Sequence, residues 1–171
     1  PFLSFSYSNS YSANQMIPRS ISKLRYQIVG VGGGAGGNCG SGVGGDGANG
    51  DYIEGILDFS KYRTTTSNLF LIGKIGAGGS SGLGCSSSTP SRGINRDSLG
   101  NLKGGQGAFL SANSGASGAG GSASYIALIR NDEVGDTSRI DFLVIAGGGG
   151  GGGGAYSSGG TVISGSNSSN A

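Results

Sequence analysis

A chain of 171 residues with 40 glycines, three prolines, no histidine and a net charge of +2 is long enough for one domain with a real core. Glycine without a strict Gly-X-Y period and without abundant proline excludes a collagen. Only 12% of residues are charged and the lysines and arginines are scattered from Arg19 to Arg139, so there is neither a polybasic nucleic-acid footprint nor an acidic tail.

Residues 2–11 alternate aromatic and serine, with Phe5 and Tyr7 on one side and Ser6, Ser8 and Ser10 on the other, which predicts a strand. Met16-Ile17-Pro18-Arg19-Ser20 predicts a turn, because proline fixes φ and biases its predecessor to extended geometry. Alternation returns over 21–29, with Leu24, Tyr26 and Ile28 opposed to Lys23, Arg25 and Gln27. A glycine segment over 30–50 leads into a strand at 51–57. A turn or single helical turn over 58–67 and a strand over 68–75 follow. Residues 76–107 are the longest irregular stretch, and Ala108-Phe109-Leu110 is a candidate brief strand before the glycine and serine segment 114–122. Ser124-Tyr125-Ile126 opens a strand to Arg130 and echoes Asp51-Tyr52-Ile53. After a polar turn at 131–138, the strand 140–146 enters eight consecutive glycines, 147–154. Thr161-Val162-Ile163 is expected to close the sheet, leaving one glycine-rich β domain over 1–164 and a flexible tail over 165–171.

Three of these strands run straight into glycine. Tyr26-Gln27-Ile28-Val29 meets 30–37, Leu69-Phe70-Leu71-Ile72 leads to 76–79, and Phe142-Leu143-Val144-Ile145 meets 147–154. Glycine loses the most conformational entropy on ordering, so such tracts are either loose linkers or extended rods packed on similar rods. A loose linker has no need of buried-strand flanks. Polyglycine can adopt the polyproline-II helix, which has no internal hydrogen bonds, and without Cβ atoms neighbouring rods approach closely enough for N–H and Cα–H groups to reach carbonyls across the gap. The expectation is an all-β framework holding a bundle of polyglycine-II helices. Its expected members are Gly32, Gly33, Gly34, Gly36, Gly37, Gly78, Gly79, Gly120, Gly121, Gly147, Gly148, Gly149, Gly150, Gly151, Gly152, Gly153 and Gly154.

Sharper motifs are weak. Gly32-x-Gly34-x-x-Gly37 imitates a dinucleotide fingerprint, but that motif needs a helix opening at its last glycines, and the glycine-rich stretch after Gly37 cannot start one. Gly73-Lys74 is followed by Ile75, not the Ser or Thr of a P-loop. Gly44-Gly45-Asp46-Gly47-Ala48-Asn49 resembles one calcium-binding nonapeptide. Calcium at Asp46 and Asp51, or at Asp132, Glu133 and Asp136, is conceivable from one copy, yet turns rich in Asp and Asn need no metal. Absence of histidine removes Ser-His-Asp and Cys-His arrangements and histidine zinc sites, so no catalytic residue, cofactor or metal is assigned. Cys39 and Cys85 either pair or stay as two free thiols. Asn167-Ser168-Ser169 is the single N-x-S/T sequon, which makes Asn167 the candidate glycosylation site. Tyr156 is the best candidate for an exposed tip, with Arg92 and Arg96 of the long loop as further candidate partner contacts. No apolar run approaches the ~20 residues of a membrane-spanning helix. The start at Pro1-Phe2-Leu3, without methionine or a signal-peptide pattern, leads us to expect a processed or trimmed terminus.

Two segments resemble the glycine-rich domain family found in anaplastic-lymphoma-kinase-type receptor ectodomains and in phage, viral, bacterial and protist surface proteins. They are Leu24 through Val29 into 30–37, and Gly120-Gly121-Ser122-Ala123-Ser124-Tyr125-Ile126 through Phe142-Leu143-Val144-Ile145-Ala146-Gly147. The resemblance spans roughly residues 5–160. It implies a β-sandwich or jelly-roll framework carrying polyglycine-II helices, and functions in receptor architecture, fibre tips or coats, with no catalytic residue carried over. Val29-Gly30-Val31 lacks the aromatic expected at the end of the first strand, and the chain lacks the receptors' cysteine content. A receptor ectodomain fragment is therefore a third choice. The expected function is a non-enzymatic structural module of an extracellular or virion surface assembly, with protein partners and an oligomeric setting; the alternative is an adhesin-type module for a host glycan or protein receptor.

Overall fold

A computed structural model describes residues 12–63, 68–85, 93, 102–109, 113–130 and 141–169. The expected strand over 2–11 lies outside these residues; described pairing begins at β1, Ser12–Met16. β2 (Lys23–Val29), β3 (Tyr52–Asp58), β4 (Leu69–Lys74), β5 (Ser124–Arg130), β6 (Asp141–Ala146), β7 (Tyr156–Ser158) and β8 (Thr161–Ile163) follow. All pairings between them are antiparallel, and a 3-10 turn stands at Phe59–Lys61. The fold is all-β. Asp58 caps that turn, its carboxylate accepting from the Ser60 amide at 2.9 Å.

β1, β4, β5 and β6 form one sheet in that order, β2 and β3 pair as a second, and β7 with β8 make a separate hairpin. Alternation decides which face each strand buries. Leu69 and Leu71 of β4, Ile126 and Leu128 of β5, and Val144 and Ala146 of β6 share one face of the larger sheet. Against it pack Ile28 with the partly buried Leu24 and Tyr26 of β2, Ile53 and Leu57 of β3, and the fully buried Phe59. The opposite face buries Ile72, Tyr125, Ala127 and Ile129, with Leu102 partly covering them. β5 is therefore buried on both sides, which explains its unbroken apolar run from Tyr125 to Ile129. A bulge between Ile126 and Ala127 shifts its register against β6, and the Tyr125 and Phe142 rings meet edge to face at 5.0 Å.

Thr161-Val162-Ile163 does not extend either larger sheet. It folds back on Tyr156–Ser158 through Gly159 and Gly160, whose φ of +56° and +83° suit the tight two-residue turn that matches strand twist. Ala108 and Phe109 are not strand; Ala108 instead joins the side of 114–123 through Ser117.

Candidate functional site

The glycine segments leave the ends of the sheets and run beside one another. Residues 30–38 continue β2, a turn at 39–42 reverses the chain, and 43–51 returns into β3. Residues 76–84 continue β4, 114–123 lead into β5, and 147–155 continue β6.

Their hydrogen bonds advance by three residues. In the central segment the amides of Gly30, Gly33 and Gly36 donate to the carbonyls of Asp51, Ala48 and Gly45, while those of Val31, Gly34 and Gly37 donate to Ser122, Ala119 and Ala116. The carbonyls of Val31, Gly34 and Gly37 accept from Gly149, Gly152 and Ala155, and those of Gly32, Ala35 and Asn38 accept from Gly79, Gly82 and Cys85. Each row of the segment thus serves a different neighbour. Segment 114–123 repeats the rule: Gly115, Gly118 and Gly121 donate to 149–155, Ala116, Ala119 and Ser122 to 77–83, and Ser117, Gly120 and Ala123 to 102–108. Backbone groups that burial would orphan are satisfied between segments instead of within them.

This closeness is what demands glycine. A Cβ on Gly33 would stand 2.0 Å from the Gly150 carbonyl oxygen, one on Gly118 2.0 Å from that of Gly34, and one on Gly154 1.9 Å from that of Gly115. Each replaced Hα therefore points at a carbonyl, the geometry of a weak C–H···O contact. The φ of these glycines is not the reason, since positive values are confined to Gly40, Gly159 and Gly160 among the described glycines.

Of the expected bundle glycines, Gly33, Gly34, Gly36, Gly37, Gly79, Gly121, Gly148, Gly149, Gly151, Gly152 and Gly154 make such backbone approaches. Gly32, Gly78 and Gly120 do not, with nearest atoms at 3.4, 3.6 and 3.3 Å; neither do Gly147, Gly150 and Gly153, whose nearest atoms lie at 2.9 to 3.2 Å. The sequence reading missed Gly44, Gly47, Gly115 and Gly118, which meet carbonyls at 2.0 to 2.3 Å. A signal was available: Val43, Asp46 and Asn49 are exposed at three-residue spacing, with Gly45 and Ala48 buried between them.

Of the expected tail over 165–171, residues 165–169 are described: Gly165 and Ser168 donate to Val43 and Asp46, and the Ser166 carbonyl accepts from Gly153. Asn167 Oδ1 accepts from the Asp46 amide at 2.8 Å, so the sequon asparagine is itself part of this contact. The segment 164–168 packs because 43–46 and 150–153 leave backbone groups open along that side.

At the end remote from the sheets, Cys39 and Cys85 form a disulfide that ties the turn after 30–38 to the end of 76–84. Gly40, at φ +57°, lets the chain reverse there, with Cys39 and Gly42 exchanging both backbone bonds. Beside it stands the β7–β8 hairpin, where Tyr156 is 40% and Ile163 57% exposed. Arg92 and Arg96 lie outside the described residues, as do Asp132, Glu133 and Asp136. Among the described residues no three of His, Cys, Asp and Glu gather as metal ligands, and no helix is long and apolar enough to cross a membrane.

The outward face of β2–β3 carries the clearest electrostatic cluster. Glu54 Oε2 accepts from Tyr52 Oη at 2.8 Å and Gln27 Nε2 at 3.2 Å, with Arg25 at 3.8 Å. The Tyr52 and Gln27 bonds hold the Glu54 carboxyl below its usual range, and the same Glu54 bond pushes the Tyr52 phenol up.

No family model, curated protein or solved structure matches the chain.

Proposed function

We propose that this chain is a non-enzymatic structural module of an extracellular or virion surface assembly, in which polyglycine-II helices pack on a sandwich- or jelly-roll-like β framework. The observation that carries the reading is the three-residue step of the hydrogen bonds around 30–38 and 114–123. Polyglycine-II has three residues per turn and no internal bonds, so its rows of N–H and C=O turn to different neighbours in the same way. Such a block is stiff and nearly free of side chains, which suits architecture better than a reactive pocket. The Cys39–Cys85 bond supports an oxidising setting, and the resemblance to the glycine-rich domain family points the same way.

The partners in this reading are other protein subunits. Light scattering on the oxidised full chain, together with cross-linking in its parent assembly, tests it. Self-association or a stable subunit contact is expected; a strict monomer that touches no other subunit in the assembly overturns it.

A second reading, a binding module for a glycan or protein receptor, is favoured by the exposed Tyr156, Val162 and Ile163 on the hairpin. It predicts glycan-array or receptor binding that Tyr156→Ala weakens. Silence on the array together with burial of the hairpin in the assembled particle removes it.

A further inference from the structure

The eight-glycine run and the alanine after it present three rows of carbonyls, and two of the rows are taken. Those of Gly149, Gly152 and Ala155 accept from Gly121, Gly118 and Gly115, and those of Gly147, Gly150 and Gly153 accept from Asp51, Ala48 and Gly45. Inside the run both contacts obey one rule: a neighbour that donates to one carbonyl sets its own carbonyl against the Hα of the residue before. A Cβ on Gly148 or Gly151 would stand 2.0 or 2.1 Å from the oxygens of Gly121 and Gly118, and one on Gly149 or Gly152 2.0 Å from those of Ala48 and Gly45.

The third row, the carbonyls of Gly148, Gly151 and Gly154, has no donor among the described residues, and these glycines are half-buried. By the same rule its neighbour would press on Gly147, Gly150 and Gly153. All three are glycine although the chain itself sets no carbonyl there: an added Cβ meets Asp51 Oδ2, the Ser168 Cβ and the Ser166 nitrogen first, at 2.9, 3.2 and 3.1 Å. Other rows of the bundle carry side chains at this spacing. Ala35 and Asn38 follow Gly32, Ser81 stands between Gly78 and Gly84, and Val43, Asp46 and Asn49 make a third such row.

From the unpaired carbonyls of Gly148, Gly151 and Gly154 beside Gly147, Gly150 and Gly153 we infer that this side of the run docks an extended glycine- and serine-rich segment of a partner protein. A polyglycine-II segment brings an N–H to one side at every third residue, ~9 Å apart, and so reaches all three carbonyls over ~19 Å. Neither a helix nor a strand repeats at that step. Segment 164–168, Ser-Gly-Ser-Asn-Ser, shows the mode: it continues no strand of the two larger sheets, yet it is seated on the same run, accepting from Gly153. The inference deepens the assembly reading by naming the chemistry of one partner, and rests on that reading for there being a partner.

Backbone NMR of the oxidised full chain tests it, with an acetylated and amidated (Gly-Gly-Ser)3 peptide as the probe. A proline nonamer, which holds the same helix without an N–H, is the control. The glycine peptide is expected to move the carbonyl ¹³C signals of Gly148, Gly151 and Gly154 saturably at millimolar concentration. The proline peptide should bind at least tenfold more weakly, since the net worth of one lost hydrogen bond is already close to that factor. Gly150→Ala, whose added Cβ meets only the Ser168 side chain, should keep the fold and abolish the response. Equal binding of the two peptides, shifts confined to Gly32, Ala35 and Asn38, or no saturation would each overturn it. So would the same shifts on concentrating the chain without peptide, which would give the row to a second copy. The peptide comparison on the unaltered chain stands even where Gly150→Ala fails to fold, and peptide silence beside a subunit contact made elsewhere removes this inference alone.

Discussion

Gly30 lies so close to Gly147 that a Cβ on the first would stand 1.7 Å from the carbonyl oxygen of the second. Real Cβ atoms do not approach backbone oxygen so nearly, and backbone on both sides leaves no flexible atom to yield. The same relation recurs at Gly33 with Gly150 and Gly36 with Gly153, so one row of the central segment faces 147–154 throughout. Packing, not dihedral freedom, makes these glycines irreplaceable.

Substitution should therefore follow the rows. Gly33→Ala and Gly118→Ala are each expected to cost about 3 kcal/mol or more, as overpacking against fixed backbone does. Gly78→Ala and Gly105→Ala, whose added Cβ meets nothing closer than 3.6 Å, should stay within about 1 kcal/mol and could gain from a stiffer unfolded chain. Denaturant unfolding of the four variants under oxidising conditions measures the contrast. Equal losses at all four positions would contradict the row assignment.

Amide exchange should show the same period in the eight-glycine run. Gly149 and Gly152 donate to Val31 and Gly34, and Gly153 donates to Ser166. Among the described residues the amides of Gly148, Gly151 and Gly154 find no partner and lie half-buried. The first set should exchange at least an order of magnitude more slowly than the second, because exchange needs the bond to open. Uniformly fast exchange along 147–154 would mean that the segments are not held together in solution.

The strands were legible because apolar alternation and β-branched runs are local properties. Leu24, Tyr26 and Ile28 pointed to the core before any partner was known, and Phe142-Leu143-Val144 announced β6. The bundle was legible only in part. Gly44 and Gly47 were passed over because a high glycine count hides which third of the positions carries the constraint. The contacts of the tail were not legible for a different reason: Ser166 and Ser168 bond to backbone groups of Gly153 and Asp46, and no side-chain pattern marks such a contact in advance. The Gly159-Gly160 turn was the opposite case, a strong local hairpin signal passed over in favour of closing the larger sheet.

Deleting residues 164–171 should accordingly loosen one flank of the bundle. The deletion removes acceptors and donors for Gly153, Val43 and Asp46. Each lost backbone bond is worth about 1 kcal/mol net, so a loss of roughly 2–3 kcal/mol is expected, with faster exchange at Gly153 and Asp46 and little change at Gly34. Unaltered stability and exchange would show that the tail contact is not populated in solution.

Removing the disulfide should cost more than removing the tail. The bond closes a loop with a sequence separation of 46, worth about 4 kcal/mol in the chain-entropy model. A Cys39→Ser, Cys85→Ser double variant is expected to lose about 3–4 kcal/mol in denaturant unfolding. Increased exchange should concentrate at Gly37, Gly82 and Ala116, near the cross-link, and leave β4 and β5 protected. A loss confined to the sheets would place the effect elsewhere.

Acid and alkali should each weaken the outward face of β2–β3, through different groups. Glu54 and Asp58 are held below their ordinary values of 4.5 and 3.8, chiefly by the bonds from Tyr52 and from Ser60. Their contribution is complete above those ordinary values and is lost as pH falls through the lower folded ones. Tyr52 is raised above its ordinary 10.0, chiefly by Glu54, so its contribution is complete below pH 10 and is lost as pH rises through the higher folded value. All three groups are solvent-exposed, so salt should shrink both limbs. Glu54→Gln separates the causes. It should flatten the Glu54 part of the acid limb, leave the Asp58 part, and bring the Tyr52 titration, followed by phenolate absorbance or NMR, down towards 10.0. An unmoved Tyr52 midpoint in that variant would mean that the bond to Glu54 is not what raises it.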